Sequence, residues 1–246
     1  MTLNTLKDKR IMITGGSAGL GAAICRQTVK SGASSLSLDL NRPPQGDFYP
    51  LDVTDPDAWR VLAEQRGGPD VLFLNAGMMS APNRSDAAQY KFLSSTAASY
   101  AAVRAVNLDG VVFGLQSLIP RMPAGSCVIV TISLAGIHPY VFDPIYATTK
   151  HALVGLVRSV SQEMMARGIR IHGFCPNRIV TDLLPTATQT PQDLTADEAA
   201  QAAIGLIDEP SSGYAWGLEA ANERLQRHPP IPASIAQRIT RRLFKR

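Results

Sequence analysis

The chain has 246 residues, 45% of them hydrophobic and 18% charged, a composition typical of a folded protein with a large core and not of a disordered one. Its three cysteines are scattered, with no C-x-x-C pair, which excludes a disulfide scaffold, predicts no metal site and favours a reducing, cytoplasmic environment. No run approaches the roughly 20 apolar residues of a membrane span, and the charged start lacks the apolar stretch of a secretory signal.

The net charge of +4 is concentrated at the C-terminus. Residues 222–246 carry seven basic side chains and a single acid, Glu223, so the rest of the chain is slightly acidic. A nucleic-acid-binding protein needs a basic main surface, and we therefore expect no nucleic-acid partner. Residues 232–246 are predicted to form a basic helix, either solvated, in contact with a second subunit, or on an anionic membrane surface.

Short apolar or β-branched runs alternate with longer stretches of helical periodicity, which predicts an α/β fold with a parallel sheet covered on both faces. Strands are expected near Arg10–Thr14, Ser35–Leu40, Asp47–Leu51, Val71–Leu74, Cys127–Ile132, Ile169–Phe174 and Tyr214–Gly217. Helices are expected at 19–31, 55–66, 96–118 and 146–167, with a further helical pattern at 218–225. The connection at 41–46 is too short for a full crossover helix, and residues 182–204 suit a substrate lid.

The first predicted strand runs into a glycine-rich turn that opens a helix, Thr14-Gly-Gly-Ser-Ala-Gly-Leu-Gly21. Glycines at this point let the backbone approach a pyrophosphate, whose charge is then held by free N–H groups at the helix N-terminus. The residues expected to form this part of a nucleotide site are Thr14, Gly15, Ser17, Gly19, Leu20 and Gly21.

Asp39 ends the second predicted strand, where a carboxylate can accept hydrogen bonds from an adenosine ribose and repel a 2′-phosphate. NAD is therefore expected as cofactor, while the nearby Arg42 leaves NADP open. Further along, Asp52 and Val53 are candidates for contact with the adenine. Asn75, Ala76 and Gly77 close a buried strand and would bring backbone close to the cofactor.

Three residues carry a reactive pattern: Ser133 after the fifth predicted strand, and Tyr146 and Lys150 at the start of the next helix. Positions i and i+4 share one face of a helix, so the phenol and the ammonium point into the same space. A free tyrosine has a pKa near 10, so a base that works near pH 7–8 needs a pKa lowered by roughly 2–3 units. A neighbouring lysine and a bound nicotinamide cation are suitable sources of that lowering.

With the glycine turn, Asn75-Ala-Gly77, Asn107, Ser133 and Tyr146-x-x-x-Lys150 in sequence, the chain resembles the short-chain dehydrogenase/reductase family over roughly residues 8–182. The resemblance implies a single Rossmann-type domain, a doubly wound parallel sheet of about seven strands, spanning residues 1–246. It implies Tyr146 as acid/base, Ser133 as the residue that holds the substrate oxygen, Lys150 on the nicotinamide ribose, and Asn107 at a helix kink in a proton relay. Tyr146 and Lys150 also count as cofactor contacts, together with Pro176, Ile179 and Thr181 after the sixth strand.

Asn177 stands where the family usually has glycine, and asparagine is the next most tolerant residue of positive φ. The loop 136–143 must border the substrate cavity. We expect His138 and Tyr140 to contact the substrate along with Ser133. Asp143 either binds the substrate or, beside Pro144, caps the following helix, and capping is favoured.

The predicted function is NAD-dependent interconversion of a secondary alcohol and a ketone by a homodimer or homotetramer. Two alternatives stay open. One is an NADPH-dependent ketone reductase, which Asp39 disfavours. The other is a non-catalytic dinucleotide-sensing protein on the same fold, because fold alone does not determine function.

Overall fold

The computed structural model describes residues 6–80, 92–181, 190–191, 193–221 and 223–228. An eight-stranded sheet with strand order β3-β2-β1-β4-β5-β6-β7-β8 forms its centre. The strands are β1 (Arg10–Thr14), β2 (Ser34–Asp39), β3 (Asp47–Pro50), β4 (Val71–Leu74), β5 (Cys127–Thr131), β6 (Arg170–Pro176), β7 (Tyr214–Leu218) and β8 (Gln226–His228). The helices are α1 (Gly19–Lys30), α2 (Pro56–Arg66), α3 (Ala97–Arg104), α4 (Gly110–Leu118), α5 (Pro144–Ala166) and α6 (Ala196–Gly205).

Seven strands run parallel and β8 alone pairs antiparallel, with β7. Both faces of the sheet are covered, as the continuous apolar strands predict. In β4, Leu72 and Leu74 pack into one apolar cluster while Val71 and Phe73 pack into the other. The strand order reverses between β1 and β4, and in such doubly wound sheets ligands bind in the crevice at that point.

The connection between β2 and β3 contains no crossover helix, as expected. Parallel pairing places Leu36 opposite Asp47, so residues 40–46 carry the chain back along β2 in a short loop.

The predicted helix at 96–118 is broken by a π-helical turn at Ala105–Asp109, which separates α3 from α4. This turn contains the buried Asn107, at the position where the resemblance implies a kink. By length and mean hydropathy, 1.2, the run Ala97–Arg121 could cross a membrane. Since 44% of its most apolar stretch is buried in the fold, and core helices pass the same test, this is weak support for a span.

The prediction of a helix at 218–225 is wrong. The strand β7 continues to Leu218, and a turn marked by a hydrogen bond from Glu223 N to Ala220 O returns the chain into β8. Apolar spacing alone could not show this, because β8 is defined by its pairing with β7 and by Arg227 stacking on Tyr214 at 4.8 Å.

The predicted lid at 182–204 includes most of a helix at its C-terminal end, and its role as a lid stays a prediction. Residues from 196 onward form α6, which begins at a capping box of Thr195 and Glu198 and buries Ala199 and Ala203. This helix packs against α1, where the Asp197 side chain accepts hydrogen bonds from Arg26 and Gln27. Residues 182–189 and the predicted basic helix at 232–246 lie outside the described residues.

Candidate active site

A cavity of about 590 Å³ lies in the crevice at the carboxyl ends of the parallel strands. Most of the predicted site residues line it: Gly15, Ser17, Gly19, Leu20, Asp39, Asn75, Ala76, Gly77, Ser133, His138, Tyr140, Tyr146, Lys150, Pro176, Ile179 and Thr181. The predicted residues that do not line it are Thr14, Gly21, Asp52, Val53, Asn107 and Asp143. The fold thus brings the glycine turn and the Ser133–Tyr146–Lys150 group to one cavity.

The glycine turn is shaped for a close approach of backbone to a ligand. Gly15 and Gly19 have φ of 68° and 49°, in the region that favours glycine. A side chain at Gly21 is excluded because its Cβ would lie 2.0 Å from the Gly15 carbonyl oxygen. Thr14 joins the glycine turn to the end of β4, because its hydroxyl accepts hydrogen bonds from the amides of Asn75 and Ala76 at 2.8 and 3.0 Å.

Asp39 closes the cavity beside this turn. One carboxylate oxygen accepts hydrogen bonds from the Ser17 amide and hydroxyl, at 3.0 and 2.8 Å. The other oxygen accepts from Asn41 N at 3.1 Å. Arg42, the residue that leaves NADP open, stacks its guanidinium on the Phe48 ring at 5.1 Å. A carboxylate therefore stands at the edge of the cavity, while the Arg42 guanidinium is directed onto an aromatic ring.

Asp52 and Val53, which are expected to contact the adenine, do not line the cavity. Asp52 is exposed, and one of its carboxylate oxygens accepts from the Thr54 amide and hydroxyl at 2.9 and 2.8 Å. Val53 is buried, and its carbonyl accepts from the Trp59 indole N–H at 3.0 Å. The hydrogen bonds of these two residues organise the start of α2, and a contact with a ligand stays a prediction.

Ser133 sits at the end of β5 with φ of 143°, a conformation that side-chain-bearing residues rarely adopt. Its hydroxyl accepts from the Ala135 amide at 3.1 Å, which starts the short helical turn Leu134–Gly136. Backbone strain of this kind costs about 1–3 kcal/mol and is held in place by the surrounding fold. The strain and the hydrogen bond keep the hydroxyl at the cavity wall.

Tyr146 and Lys150 occupy the first two turns of α5. The ammonium lies 5.4 Å from the centre of the Tyr146 ring and donates to the Thr131 carbonyl at 2.9 Å. Lys150 is only 2% exposed, and burial lowers its pKa to about 8. Burial raises the pKa of Tyr146, whereas its hydrogen bond with Ser133 lowers it.

Burial raises the pKa of Tyr146 in the protein alone, and the expected lowering by Lys150 together with a bound nicotinamide stays a prediction. The loss of solvation is the largest influence on the pKa of the phenol, and the Asp143 carboxylate acts in the same direction. Residue spacing shows which groups share a helix face but not how deeply they are buried, and burial decides the direction here.

Asn107 stands behind the cavity in the π-helical turn. Its side-chain oxygen accepts from Met78 N at 2.8 Å, and its amide donates to Met78 O at 2.9 Å and to the Thr149 hydroxyl at 3.2 Å. It thereby fixes the chain after β4 against α5. Its implied membership of a proton relay stays a prediction.

The segment after β6 runs across the cavity as the resemblance implies. Asn177 does not adopt positive φ; instead its amide donates to Leu218 O at 2.8 Å and its side chain donates to Glu219 O at 3.1 Å. Thr181 lies so close to Gly19 that a Cβ there would meet it at 3.0 Å. The segment thus closes over the glycine turn without the glycine that the family usually has.

Of the predicted substrate contacts, only Asp143 does not line the cavity. His138 and Tyr140 line the cavity, and Tyr140 lies 6.3 Å from the Tyr146 ring. Asp143 does not line it: its carboxylate is fully buried and accepts from Tyr146 N at 3.0 Å. The capping alternative therefore explains Asp143, and the substrate contact is withdrawn.

Several residues at the site carried no recognisable sequence signal. Arg178 lines the cavity and forms a two-pronged ion pair with Asp193, at 3.0 and 3.3 Å. His228, on β8, lies 6.4 Å from His138, a pairing that depends on the β7–β8 hairpin that sequence analysis missed. Arg178 and Asp193 are 15 positions apart and the two histidines are 90 apart, and the residue pattern does not predict contacts over such separations.

Comparison with known proteins identifies the family. The family model described as short chain dehydrogenase matches residues 9–192, so the chain belongs to the short-chain dehydrogenase family. Sex determination protein tasselseed-2 of Zea mays is 32% identical over 215 residues, which cover 78% of this chain and 62% of that protein. Levodione reductase of Leifsonia aquatica is 30% identical over 236 residues, covering 87% of this chain and 85% of the relative.

The fold has close structural neighbours as well. A short chain dehydrogenase from Burkholderia cenocepacia J2315, solved in complex with NADP, superposes with a TM-score of 0.76 at 24% identity. The alignment covers 89% of this chain and all of the neighbour. At this identity the likeness establishes the Rossmann-type fold.

Proposed function

We propose that the protein is an NAD-dependent oxidoreductase that interconverts a secondary alcohol and a ketone, with Tyr146 as acid/base. The observation that carries the proposal is the meeting of Ser133, Tyr146 and Lys150 on one cavity whose other end is the glycine turn and Asp39. A dinucleotide is long enough to occupy both ends of the cavity. A proton acceptor positioned in the cavity is needed for catalysis and not for binding alone. Within the short-chain oxidoreductases, the proposal thus names one cofactor, NAD, and one reaction, the interconversion of a secondary alcohol and a ketone.

The residues present fit a nicotinamide dinucleotide. Positive φ at Gly15 and Gly19 turns the backbone toward the place for the pyrophosphate, and the start of α1 faces it. Asp39 would accept from the ribose hydroxyls, Thr181 lies against the glycine turn, and Lys150 stands at the other end. When bound, the nicotinamide supplies the acceptor for a hydride and a positive charge beside the tyrosine.

The chain's own residues then manage the proton and the geometry. Ser133 holds the substrate oxygen, because its hydroxyl is fixed at the cavity wall and hydrogen-bonded with Tyr146. Tyr146 takes the hydroxyl proton of the alcohol, or gives it back to the ketone in reverse. Lys150 donates to Thr131 O at 2.9 Å and, with a pKa lowered to about 8, is mostly protonated at pH 7.

NAD is proposed over NADP because of Asp39. A 2′-phosphate would meet the Asp39 carboxylate, which Ser17 orients with two hydrogen bonds. The Arg42 guanidinium, the closest candidate to neutralise such a phosphate, stacks on Phe48. The NADP in the B. cenocepacia neighbour belongs to that protein, and an NADPH-dependent ketone reductase is the second candidate function.

The substrate is proposed to be of modest size and mostly apolar. Met79, Leu134, Pro139 and Tyr140 line the cavity near Tyr146, and such walls bind a hydrocarbon frame without charged partners. The name of levodione reductase, a relative over most of the chain, supports a carbonyl compound as substrate. We further propose a cytoplasmic homodimer or homotetramer, packed through the helices at 97–118 and 144–166.

The test is Tyr146→Phe, which keeps the ring and removes the proton carrier. We expect NAD-dependent turnover of a secondary alcohol to fall at least about 100-fold, the usual contribution of general acid–base catalysis. Tyr214→Phe is the matched control, because Tyr214 packs on Trp216 in β7, away from the cavity, and should keep wild-type turnover. Wild-type turnover in Tyr146→Phe would refute the assignment; a dinucleotide-binding chain without any turnover would favour the sensing alternative.

A further inference from the structure

Asp143 is bonded more extensively than a helix cap requires. Its carboxylate has no exposed surface, and one oxygen accepts from Tyr146 N at 3.0 Å and from the Ser80 hydroxyl at 2.8 Å. The other oxygen accepts from Ser80 N at 2.8 Å. For comparison, Asp55 caps α2 from an exposed position, with a single oxygen that accepts from two amides of its own helix.

Ser80, which donates to Asp143, lies in the segment that follows β4 beside the cavity. Within this segment, residues 77–80, Gly77 and Met79 line the cavity. Asn107 holds the segment at Met78 through two hydrogen bonds, and Asp143 holds it at Ser80. The cavity wall after β4 is thus fastened twice, by the π-helical turn and by the start of α5.

The peptide groups of Tyr146 close the same network. Its N–H donates to Asp143, and its C=O accepts from the Thr149 hydroxyl at 2.7 Å. That hydroxyl accepts in turn from Asn107 at 3.2 Å. The backbone of the tyrosine is therefore fixed on one side by Asp143, which holds segment 77–80 directly, and on the other by Thr149, which Asn107 links to the same segment.

We propose that Asp143 is a positioning residue for Tyr146, joining the first turn of α5 to segment 77–80 through one buried carboxylate. The inference rests on the proposed function, since it concerns the residue that would carry the proton. Catalysis depends on placing reacting groups to within a fraction of an ångström, so loosening this joint moves the phenol relative to the cavity wall.

The buried charge of Asp143 has a second effect. The groups that face Tyr146 are Lys150 on its own helix, Ser133 after β5, Cys175 on β6, and Tyr140 and Asp143 in the preceding loop. Asp143 is among the groups that raise the pKa of Tyr146, because a negative charge opposes formation of the phenolate. Its neutralisation therefore lets Tyr146 accept a proton from the substrate at lower pH.

Asp143→Asn removes the charge and also turns an amide NH2, which cannot accept, toward one of the two backbone N–H donors, whereas Ser80→Ala loosens the joint and keeps the charge. In Asp143→Asn we expect the acid limb of the kcat profile for alcohol oxidation to move down by about 0.5–1 pH unit, as expected for the loss of one nearby charge. In Ser80→Ala the charge stays, so the limb should keep its place while kcat falls about 10-fold. Asp55→Asn, at the exposed cap of α2, should leave kcat and the profile unchanged, because asparagine caps a helix about as well as aspartate.

Amide hydrogen exchange keeps the inference separate from the proposed function. In Asp143→Ala we expect faster exchange at the amides of residues 80 and 146, whether or not a substrate has been found. If the wild-type chain turns over no alcohol, the proposed function fails while the exchange result still decides whether Asp143 holds these amides. Unchanged exchange, or an Asp143→Asn variant that behaves like Asp55→Asn in kcat and pH profile, would overturn the inference.

Discussion

Replacing Lys150 by methionine should make the protein more stable and inactive at once. Lys150 is 2% exposed, and burial lowers its pKa from the usual 10.5 to about 8. Each unit of pKa shift corresponds to about 1.4 kcal/mol, so the folded state pays about 3 kcal/mol to keep this ammonium charged below pH 8. Methionine fills a similar volume without a charge.

Part of this gain is offset by the lost hydrogen bond from the ammonium to Thr131 O, a charge-assisted bond of about 1.5–3 kcal/mol. A net stabilisation of about 1 kcal/mol remains at pH 7, which for a chain of this size raises the melting temperature by about 2–4 °C. The unfolded chain holds the lysine proton up to about pH 10.5, whereas the folded chain releases it near pH 8. Wild-type stability therefore rises relative to Lys150→Met as the pH increases from 8 to 10.5.

The assay is thermal unfolding of both proteins, followed by circular dichroism at pH 7 and at pH 10, with NAD-dependent turnover measured in parallel. We expect the stability advantage of Lys150→Met to shrink or reverse at pH 10, and turnover to be lost at both. A difference in melting temperature that does not change with pH would refute the burial argument. Retained turnover would refute the assignment of Lys150 to the catalytic group.

The remaining predictions concern acid stability and cofactor choice. Burial lowers the pKa of His172 to about 4, so wild-type stability should fall by up to about 3 kcal/mol as the pH drops from 6.5 to 4. In His172→Gln, whose side chain can still accept from Trp216 Nε1, urea unfolding should show a much weaker pH dependence. An equally steep acid loss in that variant would refute this explanation. Asp39→Ala should weaken NADH binding about 10-fold, by loss of the ribose hydrogen bonds, and strengthen NADPH binding; a parallel loss of both would contradict the proposed choice.

Much of the fold was predictable because it depends on local patterns. Strands such as Val71–Leu74 are uninterrupted apolar runs, which a doubly covered parallel sheet requires. The start of α5 was also predictable, since Asp143 and Pro144 provide a cap and a favourable first residue. The main error, a helix at 218–225, arose because β8 exists only through its pairing with β7.

The same division applies to the candidate site. Ser133, Tyr146 and Lys150 were found from their order and spacing, and the fold brings them to one cavity. What the spacing could not show is solvation: burial raises the pKa of the tyrosine and lowers that of the lysine. Contacts made by the fold, such as Ser80 with Asp143, were equally invisible, because the residues are 63 positions apart.

Titration of the protein with NADH and with NADPH, followed by the fluorescence of the reduced nicotinamide, tests the central claim without any knowledge of the substrate. The account predicts saturable binding of NADH, at least about 10-fold tighter than that of NADPH, because Asp39 accepts from a ribose and repels a 2′-phosphate. Tighter binding of NADPH would contradict the cofactor assignment and move attention to Arg42. Binding of neither would contradict the account as a whole.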